Sequence, residues 1–303
     1  MDTDTTQVVM PSHGIDYEMP ADEYHRLPLC SKHALDLIWE FSPMHLQWHR
    51  ENPPEPTPAM LFGSALHTAV LEPGKFDHEF CVAGQCEQTV KSTGKRCENT
   101  GTKFFGGGWL CGVHGKGVES ESVGKSIVTA DQKTAIDNIV RAISFNRAAS
   151  ELLKAEGRNE ASAFFQHPDT GTECKLRTDG IRPSWEAIFD IKTTENASKN
   201  EFMRSLTKYR YNAQAAFYQD GLKQVGIEVK HFAFIVVEKS APYGVATYRL
   251  MDDAIQAGRE QYMKDLRVYA ECERSGRWHG YDSEFQDITI EAWKMRKIIN
   301  GDE

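Results

Sequence analysis

Apolar residues first recur at three- and four-residue spacing after Ser31, where Leu35, Ile38, Trp39 and Phe41 follow a capping serine, up to the proline-rich break ENPPEPTP at 51–58. The run AMLFGSALHTAVL at 59–71 predicts a second, mostly buried helix, which Glu72-Pro73-Gly74 ends. Gly63 and His67 lie four apart on one face of it. Periodicity then lapses over 81–117. It returns behind Thr129, where Ile136, Ile139, Val140 and Ile143 predict one long amphipathic helix to about residue 156. Next the period drops to two. Segments 161–166, 174–179 and 187–192, separated by the turn sequences HPDTG and RPSW, predict an antiparallel meander. Helices near 197–207 and 211–224, strands near 230–237 and 244–250, and helices near 252–275 and 289–298 complete an α/β outline, a mixed central sheet flanked by helices. Residues 1–29 form an N-terminal arm or capping strand, and 30–303 a single domain interrupted at 81–117.

Composition narrows the class. With 40% hydrophobic and 26% charged residues among 303, the chain reads as folded and globular. Its longest apolar run, HFAFIVV at 231–237, is far short of the roughly 20 residues that span a bilayer. No secretory leader is expected, and the chain is read as cytoplasmic without a membrane partner. A net charge of −9 argues against coating nucleic acid with the whole surface but leaves room for a local basic groove. Seven cysteines point to a reducing compartment, where clustered thiols bind metal more often than they pair, and four of them lie between Cys81 and Cys111.

The candidate chemistry centres on Lys175-Leu-Arg-Thr-Asp179-Gly and Ile188-Phe-Asp190-Ile191-Lys192. Residues two apart on a strand face the same way, so Asp190 and Lys192 project together while a hairpin at 182–185 returns Asp179 beside them. Two carboxylates and an ammonium at one strand end suit a hard divalent cation with oxygen ligands, Mg²⁺ or Mn²⁺. Asp-x-Lys alone is a short pattern, and by itself it reads more readily as a solvated ion pair on a strand edge. Downstream, Gln214 and Tyr218 share one helical face, with Arg210 one turn earlier.

His67 in its Gly63-x-x-x-His67 helix, Asp179, Asp190-x-Lys192 and Gln214-x-x-x-Tyr218, in that order, resemble the RecB-type branch of the PD-(D/E)XK nucleases, in particular the nuclease domain of exonuclease VIII and its phage relatives. The resemblance covers about 30–285 without the insertion. It implies a restriction-endonuclease-like core and a metal-dependent 5′-to-3′ exodeoxyribonuclease. That enzyme would act on linear double-stranded DNA, leaving 3′ overhangs for recombination in a bacterial or phage-infected cell. By the same resemblance, Asp179, Asp190, His67 and the Ile191 carbonyl hold the metal, Lys192 is catalytic, and Gln214 and Tyr218 complete the site. Arg177, Arg210 and Tyr218 are candidate DNA contacts. A RecT-like single-strand annealing partner and a homo-oligomer, as a tetrameric ring, are further implications. A structure-specific or restriction-type endonuclease and a non-catalytic DNA-binding module remain as alternatives. Asn212 stands where relatives tend to carry histidine, which leaves its role open.

The insertion is separate chemistry. Cys86, Cys97, Cys111 and His114 offer three sulfurs and an imidazole, a set suited to structural Zn²⁺ in a small knuckle rich in turn-forming glycine. Cys81 reads as a bystander. Lys91, Lys95, Arg96 and Lys103 suit either contact with DNA phosphates or solubility.

Overall fold

The computed structural model describes residues 10–120 and 125–301. Residues 1–9 of the expected arm lie outside the described residues. The first elements are β1 (Gly14–Asp16), α1 (Ala21–Arg26), α2 (Lys32–Glu40), α3 (Pro43–Glu51), α4 (Pro58–Leu71), α5 (Phe76–Glu79) and β2 (Phe80–Ala83). Then come β3 (Lys103–Phe105), β4 (Gly108–Leu110), β5 (Ser126–Thr129), α6 (Ala130–Phe145) and α7 (Arg147–Lys154). The meander is β6 (Arg158–Gln166), β7 (Glu173–Arg182) and β8 (Ala187–Thr194). It is followed by α8 (Lys199–Lys208), α9 (Tyr211–Gln224), β9 (His231–Glu238), β10 (Val245–Arg249), α10 (Asp252–Ser275) and α11 (Ala292–Asn300).

The α/β expectation is met by a six-stranded sheet in the order β1-β6-β7-β8-β9-β10. Its strands pair antiparallel except β8 and β9, which are parallel because α8 and α9 carry the chain back across the sheet between them. Strand alternation divides the core. From β8 and β9, Ile188, Phe232, Phe234 and Val236 pack on one face with Leu35 of α2, Phe217 of α9 and Tyr262 of α10. Phe189, Ile191, Ile235 and Val237 pack on the other with Leu66 of α4, Ile136 of α6 and Leu152 of α7. Burial on both faces is why these strands read as near-continuous apolar runs.

Several boundaries differ from expectation, each for a local reason. The helical pattern after Ser31 is two helices, broken at Phe41-Ser42 because Pro43 occupies the first turn of α3 and has no N–H to continue α2. The long helix expected over 129–156 is also two. Asn146 takes an extended conformation and its side chain accepts from Ala149 N, capping α7. Helix α4 is buried in its C-terminal half, through Ala65, Leu66, Thr68 and Leu71, while Met60 is exposed. Inside the expected arm, β1 caps the sheet edge against β6. Parallel pairing of β2 with β5 joins the chain before the cysteine-rich segment to the chain after it. Cys81 and Val82 therefore belong to that small sheet, and the excursion spans 84–125.

Helix α9 is seated closely. A Cβ on Gly258 of α10 would stand 2.1 Å from the Asn212 carbonyl oxygen, so only glycine lets α10 meet the first turn of α9.

Candidate active site

The β7–β8 ladder runs only as far as Gly180↔Phe189, and the strands part where Asp179 and Asp190 follow. In place of a ladder bond, the Ile191 N–H donates to Asp179 Oδ2 at 2.6 Å. His67 Nε2 lies 3.2 Å from the Ile191 carbonyl oxygen, and its Nδ1 is 3.5 Å from Asp179 Oδ2. On the outer side of β8, Lys192 Nζ is 2.7 Å from Asp190 Oδ2, while Gln214 Nε2 donates to Asp190 Oδ1 at 2.5 Å. Tyr218 lines the same cavity as Lys192 and Gln214. His67, Asp179, Asp190, Ile191, Lys192, Gln214 and Tyr218, drawn from α4, β7, β8 and α9, therefore meet at one strand end.

Two members of the site escaped sequence reading. Glu160 stands on β6 in register with Asp179, at a point where the β6–β7 ladder skips a pair and Glu160 adopts a left-handed backbone with φ of 51°. A non-glycine residue held there stores strain of about 1–3 kcal/mol and turns its carboxylate toward the cluster. Glu160 Oε1 is 4.0 Å from His67 Nδ1, and the other oxygen is 2.7 Å from Arg177 Nε. The sequence signal was its place just ahead of an apolar strand opposite Asp179. Tyr211, the other omission, sets its ring 4.6 Å from Lys192 Nζ.

The two arginines expected to face DNA are both engaged by partners within the protein. Arg177 also donates to Met19 O and Ser162 Oγ, so it ties the N-terminal segment to the sheet and orients Glu160. Arg210 is 3% exposed, precedes α9 with a left-handed backbone instead of lying on its face, and pairs with Asp265 and Asp36. Burying a guanidinium is tolerable only with such partners.

Charge crowding shows in the titration of the site. Burial first, and then the Asp190 carboxylate, push Asp179 up to about 7. Burial disfavours charge on His67, but Asp179, Asp190 and Glu160 together outweigh it and raise its pKa. Lys192 is likewise raised, because the carboxylate of Asp190 leads a set of neighbours that overcomes its burial. Asp190 is paired with Lys192 and Glu160 with Arg177, while Asp179 has His67 at 3.5 Å beside it. Oxygens of Asp179 and Glu160 and a nitrogen of His67 lie within 4.8 Å of one another, as metal ligands would. Asp190 Oδ2 is buried and receives no hydrogen bond of proper geometry among the described residues. This hard, oxygen-rich donor set fits a divalent cation.

Residues 40–288 match a family described as a PDDEXK-like domain of unknown function (DUF3799). The chain belongs to this family. PDDEXK nucleases generally use divalent metals, in keeping with the donor set. Among solved structures the chain resembles one described as a "Putative exonuclease" from Eubacterium rectale, with 13% identity, a TM-score of 0.58, and 91% of this chain and 95% of that one covered. A second, SSO0001, is 12% identical over 44% of this chain and 66% of its own, but its TM-score of 0.26 carries no argument. No curated protein matches. Membership and fold together support a nuclease, a phosphodiester hydrolase. Among the described residues no helix is long and apolar enough to cross a membrane.

The cysteine-rich excursion forms a second cluster. Cys86, Cys97 and Cys111 are buried although Val90 is the main apolar residue packed on them. His114 Nδ1 lies 3.4 Å from Cys86 Sγ and 3.3 Å from Cys111 Sγ, and Cys97 Sγ is 3.9 Å from Cys111 Sγ. Backbone N–H groups, that of His114 foremost, pull the Cys111 thiol down to about 6. Two of the four basic residues noted in the sequence are engaged within the knuckle: Arg96 donates to the Cys86 and Gln85 carbonyls, and Lys103 to those of Gly115 and Val118.

Proposed function

We propose that the protein is a metal-dependent 5′-to-3′ exodeoxyribonuclease that shortens linear double-stranded DNA and leaves 3′ overhangs. The observation that carries the nuclease part is the convergence of Asp179, Asp190, the Ile191 carbonyl and Lys192 at the parted end of β7 and β8. The 5′-to-3′ polarity rests on the motif resemblance alone; for exonuclease action the description of the Eubacterium rectale neighbour is a further support. A homo-oligomeric ring and a single-strand annealing partner belong to the same reading.

Asp179, Asp190 and the Ile191 carbonyl would hold Mg²⁺ or Mn²⁺, with His67 and Glu160 beside them. The bound ion would activate water, clamp phosphoryl oxygens and stabilise the leaving oxygen. Lys192, held protonated by Asp190 and steadied by the Tyr211 ring, neutralises charge on the scissile phosphate and orients the attacking water. Gln214 fixes the Asp190 carboxylate by one oxygen, and the other, paired with Lys192, would face the ion.

The test uses duplexes labelled at the 5′ or 3′ end, compared with a closed circle, in Mg²⁺, in Mn²⁺ and in EDTA. Directional loss from 5′ ends, absent in EDTA, is expected. Cutting of circles would make the enzyme an endonuclease, and full activity in EDTA would remove the metal mechanism.

For the second cluster the proposed ion is structural Zn²⁺. Thiolates bonded at about 2.3 Å to a tetrahedral centre stand about 3.8 Å apart, close to the separation of Cys97 and Cys111. Elemental analysis of protein purified without added zinc should find one zinc per chain.

A further inference from the structure

Two large aromatic rings stand half exposed at the mouth of the active site, Trp39 at 52% and Tyr209 at 50%. The periodicity of α2 had assigned Trp39 to the buried side with Leu35 and Ile38, which are buried. Instead, its ring lines a cavity of about 330 Å³ together with Tyr209, Tyr211, Lys192, Gln214 and Tyr218. That volume falls at the lower end of small-molecule sites, roughly 300–1,000 Å³.

The rings are held before any ligand arrives. The Arg210 guanidinium, itself locked by Asp265 and Asp36, lies 4.6 Å from the centre of the Trp39 ring and supports it. Tyr209 stacks on Tyr211 at 5.6 Å with 30° between planes, and Tyr211 covers Lys192 Nζ. A series from Lys192 through Tyr211 to Tyr209 thus runs from the reacting centre to the surface. Lys208 Nζ, 5.1 Å from the Tyr209 ring centre, adds positive charge at its outer end.

Flat apolar faces beside cations, adjoining a phosphate-cleaving centre, match a nucleotide: rings for the base, ammonium groups for the backbone. Within a duplex, base faces are covered by neighbouring bases, so a protein ring can stack only on a base already freed from its neighbours. We propose that Trp39 and Tyr209 form a stacking subsite for an unpaired nucleobase next to the scissile phosphate. The enzyme thereby engages a frayed end or a single strand at the moment of cleavage. This rests on the nuclease reading of the adjoining centre.

The test compares fluorescein-labelled oligothymidylate with a tetrahydrofuran oligomer of equal length, which has the same phosphates and no bases. Binding is read by anisotropy in Ca²⁺, and cleavage in Mg²⁺. Wild-type protein should bind the thymidylate about tenfold more tightly, the size of one stacked base. Trp39→Ala with Tyr209→Ala should abolish that preference and raise KM with little change in kcat, and Trp39→Phe should keep the preference. Equal binding of both oligomers by the wild type, or a preference that survives in the double variant, overturns the subsite. Should the double variant fail to fold, Trp39→Ala and Tyr209→Ala taken singly decide, each expected to weaken the preference, and a preference unchanged in both overturns the subsite. Cleavage without base preference defeats the subsite alone. Base preference without cleavage defeats the nuclease reading alone.

Discussion

The acid cluster and the cysteine cluster solve opposite problems. The acids of the first sit on strands that a large apolar core holds in place from both faces, so their geometry exists at the expense of crowded charge. The second has little apolar support, and its three sulfurs and one imidazole gather at its centre beside a short β3–β4 ladder. A core can impose a costly ligand arrangement on a site built for chemistry. A segment too short to bury much surface relies on its ligands for its shape. One ion is therefore expected to serve the reaction, the other the fold.

Removing zinc is the harshest way to break this contrast. Cys97→Ser should abolish zinc content and unfold the knuckle, since structural zinc supplies about 10–16 kcal/mol of apparent folding energy in isolated fingers. Limited proteolysis should then cut within 84–125 while the main thermal transition persists. With the division of labour intact, a short duplex at saturating concentration is still cleaved. A folded, Mg²⁺-replete variant unable to do so would move the knuckle into the active site.

Asp190→Ala and Lys192→Ala should each lower turnover by about 10³-fold or more in a chain that still folds, because the apolar core on both faces of the sheet does not include them. Near-normal turnover of either variant refutes the assigned site. Glu160→Gln, which keeps the shape and removes the charge, should weaken divalent-metal affinity by about 10- to 100-fold, measured by metal titration of activity. An unchanged titration would leave Glu160 as a partner of Arg177 alone.

The smallest effect concerns pH. Asp179 and His67 both titrate above their ordinary values in the metal-free protein, so the native state binds more protons than the unfolded chain, through Asp179 from about pH 4 to about pH 7 and through His67 above about pH 6.5. Stability of the metal-free protein should fall as pH rises through this window. Bound metal displaces those protons, so the rise in Tm on adding Mg²⁺ should grow from about pH 6 to about pH 8. A Tm increment independent of pH would show that Asp179 is already ionised.

Much of this molecule was legible in its residues because the information was local. Alternation in β6 to β9 announced a sheet, and Asp190-x-Lys192 announced two side chains on one face. The residue types of Cys86, Cys97, Cys111 and His114 suggested a metal site, and the structure brings these four side chains within 4.8 Å of one another. Long-range relations were not local and had to await the fold. The parallel pairing of β2 with β5 moves the base of the knuckle to residues 84–125. The register of β6 on β7 brings Glu160 against Asp179 and His67. Arg177 and Arg210 looked like free cations because a sequence records charge without its partner, and only packing revealed Glu160, Asp36 and Asp265 beside them. Trp39 fits a buried helical face by its spacing, yet it stands in the open, since a period identifies which residues share a face and only tertiary structure decides what that face meets.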